Sequence, residues 1–189
     1  MTTATQEPDK LEHARQNAIG WAQSISEMVA ALNCDYDRLE ELKDERGDLA
    51  SETEDDTNAV IDEAREALRA WDEEYKEELD ALIEAATIEG TLYTNDEEAR
   101  QRVEESPLSV EVRSGWTTPG SDMEAEEFCV LLSTGGPALR IRGELDEHRQ
   151  PRRAWLEMQD WFTSWTEYHG PEVTQDELVA FCSVFYFGD

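Results

Sequence analysis

Apolar residues recur at intervals of three and four positions through most of the first hundred residues. The first stripe predicts an amphipathic helix over about residues 7–32, beginning near the TQEPD stretch. Two further stripes predict helices over about 35–50 and 57–86, separated by the polar run SETEDD at 51–56. Asn95 and the acidic residues after it predict a short capped helix through Val103, which ends before Pro107. Three long helices with one apolar stripe each predict an antiparallel bundle or hairpin.

After Pro107 the apolar period changes from helical to two. LSVEVR at 108–113 places Leu108, Val110 and Val112 on one face and predicts a half-buried strand. FCVLLST (128–134), ALRIRGEL (138–145) and RAWLEMQDWF (153–162) predict three more strands, with GGP at 135–137 as a turn. A helix capped by Thr174 follows them. The predicted fold is α+β: an acidic helical domain over 1–106, then a domain over 107–189 with a small antiparallel sheet and a C-terminal helix.

The charge is strongly negative and unevenly distributed. The chain has 46 acidic and 16 basic residues, a net charge of −30. Residues 1–107 carry −21 of this and residues 108–189 carry −9. Such a balance argues against direct binding to nucleic acid or to an anionic membrane, because both need a basic surface. We therefore expect the partner to be a basic protein surface.

Cysteine usage and hydropathy indicate the compartment. The three cysteines, Cys34, Cys129 and Cys182, have no CxxC spacing, and an odd number leaves one unpaired. Unpaired thiols favour a reducing environment. No apolar run is long enough to span a membrane, and the start MTTATQEPDKLEH is not typical of a signal peptide. These features predict a cytosolic protein.

Residue types that could support catalysis are present, but not at the spacings typical of catalytic, metal-binding or phosphate-binding sites. Glu157 and Asp160 are three positions apart on a predicted strand, which places them on opposite faces. The three histidines have no metal-ligand spacing with the cysteines. STGGP lacks the lysine of a phosphate-binding loop, and no nucleophile motif surrounds Ser133 or Cys129. We therefore expect a protein that is not an enzyme and uses neither a metal nor a cofactor.

Two resemblances bear on origin and function. LSVEVRSGW, LLSTGGPALRIRGELDE, WLEMQDWFTSWTEY and the ending FYFGD together resemble a family of small proteins carried by phages and integrating elements of Gram-negative bacteria. This likeness covers about the last eighty residues; it implies a mobile-element origin and no particular chemistry. In composition, the acidic helices resemble DNA-mimic inhibitors of restriction enzymes and CRISPR complexes, which implies an anti-defence function.

The longest predicted helix concentrates acidic residues on one side. At about 100° per residue, they gather opposite the apolar stripe, with Arg65, Arg69 and Lys76 along one flank. Like charges four positions apart, as at Glu73 and Glu77, each destabilise a helix by about 0.2–0.5 kcal/mol. That cost suggests a function for the surface. The predicted partner-binding residues, which we call the acidic ridge, are Asp62, Glu63, Glu66, Glu73, Glu74, Glu77, Glu78, Asp80 and Glu84.

The leading hypothesis is that the protein inhibits a bacterial DNA-targeting defence complex, with ridge carboxylates in the place of phosphates. A second acidic row at 35–45 supports it. The alternative is a structural or adaptor protein that self-associates through its helices, for example as a homodimer, with the acids only keeping it in solution. A solvated helix face and a salt-adapted surface are simpler explanations of the charge. Exposed apolar residues on the helices would favour the adaptor, whereas a buried stripe beside a bare ridge would favour the inhibitor.

Overall fold

The computed structural model describes residues 11–53, 58–120 and 123–188, and over these ranges the chain is a mixed α+β protein. The described helices are α1 (Glu12–Leu32), α2 (Tyr36–Glu52), α3 (Asn58–Ala85), α4 (Asp96–Glu104) and α5 (Gln175–Cys182). The described strands are β1 (Thr87–Ile88), β2 (Thr91–Leu92), β3 (Ser109–Arg113), β4 (Glu127–Ser133), β5 (Ala138–Leu145), β6 (Pro151–Gln159) and β7 (Thr166–Glu167). The predicted α+β class is confirmed.

The helices lie where the apolar periodicity predicts them, and α2, α4 and α5 begin at identifiable caps. The Asp35 carboxylate accepts a hydrogen bond from the Arg38 backbone N–H at 3.0 Å and caps α2. The Asn95 side chain accepts from the Glu98 backbone N–H at 2.8 Å and caps α4 as predicted. Helix α2 continues through Glu52, two residues beyond its predicted end. The predicted start of the first helix near residue 7 and the second half of the SETEDD run, residues 54–56, lie outside the described residues.

Strands β3 to β7 form one antiparallel sheet in the order β3-β4-β5-β6-β7. The predicted strand over 153–162 ends early, because β6 stops at Gln159 and a turn closed by Thr163 N–H donating to the Asp160 carbonyl follows. The two-residue strands β1, β2 and β7 have too few positions to show a period, so sequence alone did not indicate them.

The prediction that one face of the 108–113 strand is buried is wrong. Leu108, Val110 and Val112 are 58%, 37% and 48% exposed. They lie on the face that carries Phe128 and Val130, their buried neighbours on β4. However, β3 is an edge strand, and α5 packs against β6 at the other side of the sheet. The apolar face therefore continues to β3, where none of the described helices covers it.

The chain divides into two compact units: Met1–Val29 with Arg100–Asp189, and Ala30–Ala99. This division differs from the predicted boundary between residues 106 and 107, because most of α1 belongs to the unit that holds the sheet. Two side-chain hydrogen bonds tie α1 to that unit, from Asn17 to the Ser133 hydroxyl at 2.9 Å and from Ser26 to the Glu177 carboxylate at 2.7 Å. An apolar stripe predicts a helix without saying which element will cover it, so the boundary could not follow from periodicity.

Candidate partner-binding surface

Helices α2 and α3 form an antiparallel hairpin that supports the acidic ridge. The Arg38 guanidinium contacts the Glu78 carboxylate at 2.9 Å, and Arg46 contacts Asp72 at 2.9 Å, so the two helices run in opposite directions. Their shared apolar stripe is largely buried; its buried members are Leu39, Leu42, Trp71, Leu79 and Ala86. The hairpin therefore has a conventional packed seam, and its charged residues lie away from it.

All nine predicted ridge residues are exposed on α3. Helix geometry places six of them within a sector of about 60° opposite the stripe. Glu63 and Glu74 fall beside this sector, and Glu78 turns towards α2. The six that form the central row are Asp62, Glu66, Glu73, Glu77, Asp80 and Glu84. The structure thus brings most of the predicted site onto one continuous face.

Glu78 differs from the other ridge residues because it already has a strong partner. Arg38 donates to both carboxylate oxygens of Glu78, at 2.9 and 3.4 Å, and this hydrogen bonding lowers the pKa of Glu78. The same contacts, together with Glu41 at 2.7 Å, raise the pKa of Arg38. Glu78 therefore stabilises the hairpin, and the prediction that it contributes to a bare acidic surface needs this correction.

The spacing of the ridge carboxylates is close to that of phosphates in one DNA strand. The helix rises by about 1.5 Å per residue, so the ridge extends over about 33 Å from Asp62 to Glu84. The eight carboxylates other than Glu78 give one charge per about 4.1 Å of helix axis, against one per about 3.4 Å of axis for a single strand of B-DNA. No ridge residue lies between Glu66 and Glu73, and the stretch from Glu73 to Glu84 is the denser part.

The unit that contains the hairpin is by far the more acidic of the two. Residues 30–99 hold 25 acidic and six basic residues, a net charge of −19, and the remaining 119 residues hold −11. Part of the second acidic row, on α2, has structural duties: Asp35 caps the helix, Glu41 pairs with Arg38, and Glu45 accepts from the Trp71 indole at 3.1 Å. Asp37, Glu40 and Asp44 of that row are exposed.

A second surface, which sequence reasoning missed, lies on the open face of the five-stranded sheet. Arg140 makes an ion pair of 2.7 Å with Glu157, and its guanidinium lies 4.0 Å from the Trp165 ring centroid. On the same face Arg113 and Arg142 both contact the Glu127 carboxylate, Arg113 at 2.6 Å. These positions are neighbours across the strands rather than along them, so only the strand register brings them together.

An open cavity of about 340 Å³ lies on this sheet face, beside the thiol of Cys129. Burial raises the pKa of Cys129, although Arg140 and Arg142 oppose this effect. A thiol with a raised pKa is a poor nucleophile at neutral pH. The nearby guanidiniums are already paired with Glu127 and Glu157. The cavity therefore lacks both an activated nucleophile and an unpaired anion-binding group.

Two aromatic side chains project from the turn after β6. Trp161 is 66% exposed and Phe162 is 104% exposed, with Phe162 at a positive φ of 62°. Trp165, in contrast, is half-buried against Arg140. Trp161 and Phe162 are therefore the two large aromatic side chains that this turn presents to solvent.

Within the described ranges, no group of three or more histidine, cysteine or acidic side chains is arranged to hold a metal ion. None of the described helices is long and apolar enough to cross a membrane.

Comparison with known proteins returns no counterpart: no protein-family model, curated protein or solved structure matches the chain.

Proposed function

We propose that the protein is a non-enzymatic inhibitor that binds a bacterial DNA-targeting defence complex. Its acidic ridge occupies a basic groove that otherwise holds DNA. The target is a CRISPR surveillance complex or a restriction enzyme, and the carboxylates of α3 contact the lysines and arginines that hold phosphates. The resemblance to mobile-element proteins and to DNA-mimic inhibitors favours this class of target. The protein acts in the cytoplasm of the host bacterium, without a cofactor.

The observation that carries the proposal is the contrast between the two sides of α3. Among the described side chains, no large apolar residue of α1, α2 or α3 is highly exposed, while every ridge residue is. An adaptor that self-associates through its helices would leave apolar positions on them uncovered in the free chain. The buried stripe and the bare ridge therefore favour inhibition over helix-mediated self-association.

Counterion release and the relief of like-charge repulsion both favour binding of the ridge to a basic groove. A basic groove and an acidic ridge both release condensed counterions when they meet, which favours binding at low salt. The like-charge pairs at Glu73–Glu77 and Asp80–Glu84 destabilise the free helix by about 0.2–0.5 kcal/mol each. Basic groups of a partner placed between these carboxylates relieve that repulsion. Part of the free energy of binding therefore comes from removing the repulsion that destabilises the free helix.

The first test is protection of foreign DNA in cells. The protein is expressed in bacteria that carry one defined CRISPR or restriction system, and the plating efficiency of a targeted phage is measured. We expect a rise of at least tenfold with one of the systems. The rise should be lost in the ridge variant, which carries lysine at Glu73, Glu77, Asp80 and Glu84.

A matched control separates the ridge from total charge. The control variant reverses four exposed acidic residues of the other compact unit to lysine: Glu104, Glu105, Glu124 and Glu147. Both variants change the net charge from −30 to −22. Retained protection in the control and lost protection in the ridge variant supports the proposal. Equal protection by the ridge variant and the natural chain, with both proteins folded, contradicts it.

A further inference from the structure

Strand β3 is an edge strand without the usual protection of such strands. In the strand order of the described sheet, β3 stands at the end and pairs with β4 alone. An edge strand exposes unpaired backbone N–H and C=O groups, which proline, lysine or a bulge commonly shields from other chains. Ser109–Arg113 contains neither proline nor lysine, and its pairing with β4 has no register shift. Its outer edge is therefore open to another strand.

The apolar side chains of this strand are exposed as well. Val110 and Val112 continue the apolar face beyond Phe128 and Val130. Leu108 is two residues before Val110 and lies on the same face. Trp116, three residues after the strand, is 106% exposed. An uncovered apolar face beside an unpaired backbone edge is the arrangement by which strands associate between chains.

The charges of the strand identify its occupant. Ser109–Arg113 has one acidic and one basic residue, in a chain whose net charge is −30. If two copies pair antiparallel about Val112, Glu111 of each lies opposite Arg113 of the other. Centring the pairing on Glu111 sets two carboxylates opposite each other, which destabilises it. Centring it on Val110 leaves Glu111 opposite Ser109. The Val112 register alone, of these three, forms two opposite-charge pairs.

We propose that the protein forms a symmetric homodimer in which β3 pairs antiparallel with β3 of a second copy about Val112. The two five-stranded sheets become one continuous sheet, and Val112 contacts its own counterpart. Extending the same register past the ends of β3 places Leu108 level with Trp116 of the second copy, and both side chains are exposed in the single chain. The contact is self-complementary, as a two-fold interface must be. It is also small, so the dimer dissociates on dilution.

This interface does not use the acidic ridge, so it stands or falls separately from the proposed inhibition. The strand lies in the less acidic unit, which carries −11. Arg113 can serve both contacts, because its guanidinium has five donors and remains largely exposed beside Glu127.

A charge-swap experiment tests the register directly. The mass of the natural chain in sedimentation equilibrium should approach twice the monomer value as concentration rises. Glu111→Arg and Arg113→Glu should each be monomeric alone, because each places like charges opposite one another. When mixed, the two variants should form a heterodimer with both opposite-charge pairs restored. General damage to the strand predicts no such rescue, and a monomeric mixture overturns the proposal.

Disulfide trapping provides a second test that does not depend on charged variants. In this register Val112 faces Val112, whereas Val110 of the two copies is separated by about 13 Å along the strand. Val112→Cys should therefore give a disulfide-linked dimer under mild oxidation, and Val110→Cys and the natural chain should not. Cross-linking of Val110→Cys in place of Val112→Cys overturns the register. A monomeric natural chain with no trapped dimer overturns the homodimer and leaves the edge for a segment of another protein.

Discussion

At the scale of single residues, Glu177 connects three parts of the sheet-containing unit. Its carboxylate accepts from the Thr174 hydroxyl at 2.6 Å, from the Thr174 backbone N–H at 2.7 Å and from the Ser26 hydroxyl at 2.7 Å. The bond from the Thr174 backbone N–H, together with a bond of 3.2 Å from the Glu177 backbone N–H to the Thr174 hydroxyl, forms the capping box of α5. The bond from Ser26 ties that helix to α1. Bonds from Thr174 and then Ser26 to the ionised form lower the pKa of Glu177.

This geometry predicts a specific pH dependence. A carboxylate whose pKa is lowered on folding stabilises the protein above its unfolded pKa of about 4.3, and that contribution is lost as pH falls through the folded value. Glu177→Gln should lower the free energy of unfolding by about 1 kcal/mol at pH 7. The difference from the natural chain should shrink between about pH 5 and pH 3. Urea denaturation across this range measures it, and a difference independent of pH would contradict the account.

The group around Arg140 on the sheet shows why polar contacts between strands could not be predicted from the sequence. Arg140 makes an ion pair with Glu157 and stacks on Trp165. In the chain, Glu157 is 17 positions after Arg140 and Trp165 is 25 positions after it. No local spacing links them, because the contact depends on the register between β5 and β6 and on the turn that follows. The alternation within each strand could be predicted; the pairing across strands could not.

At the scale of elements, α3 combines a buried stripe with a ridge that opposes helix formation. Glu77 has like charges at three neighbouring positions of the helix: Glu73 four residues before it, Glu74 three before it and Asp80 three after it. Glu77→Lys converts these pairs to attractive ones and should raise the free energy of unfolding by about 1 kcal/mol. Thermal unfolding followed by circular dichroism measures the gain.

Glu147→Lys is the matched control for this change, because it alters net charge equally at an exposed site outside the helices. The control should show a smaller gain than Glu77→Lys, since it relieves no pair within a helix. Equal gains would mean that overall charge repulsion, and not the arrangement along α3, sets the cost of the ridge.

For helix α1, periodicity predicts the element but not the part of the molecule against which it packs. Its stripe correctly predicts a helix, and the fully buried Ala14, Ala18, Ala22, Ile25 and Met28 are members of that stripe or flank it. Nothing in the period indicates that these residues pack in the unit of the sheet rather than in a three-helix bundle. The same limitation applies to β3: its alternation is typical of a half-buried strand, although its apolar side chains are exposed in the part of the chain that the structure describes.

The position of α1 gives a prediction about truncation. A fragment of residues 100–189 lacks the helix and the bonds from Asn17 and Ser26, so it should expose apolar surface and bind a hydrophobic dye. Adding a peptide of residues 11–32 should reduce the dye signal and restore cooperative unfolding. A fragment that unfolds cooperatively without the peptide would contradict this account and support an independent domain over 107–189.

At the scale of the whole molecule, acidic charge and open apolar surface occur in different units. The hairpin unit holds a net charge of −19 and the ridge, and the sheet-containing unit holds β3 and the projecting Trp161 and Phe162. The amphipathic helices and the excess of acids were predictable from sequence. The exposure of apolar surface on the sheet, which suggests a separate interface, required the structure. The ridge nevertheless remains central to the proposed function. Its like charges destabilise α3, and a binding function explains why the chain carries them.

The most direct measurement of that claim uses the purified defence complex that the protection assay identifies. The complex is loaded with a fluorescent DNA duplex, and release of the duplex is followed as the protein is added at increasing salt. We expect the natural chain and the control variant to release the duplex, with release weakening steeply as salt rises. The ridge variant should release little or none, because four of its sites face basic groups with the same sign. A stable complex that holds the protein and the fully bound duplex together would contradict the claim.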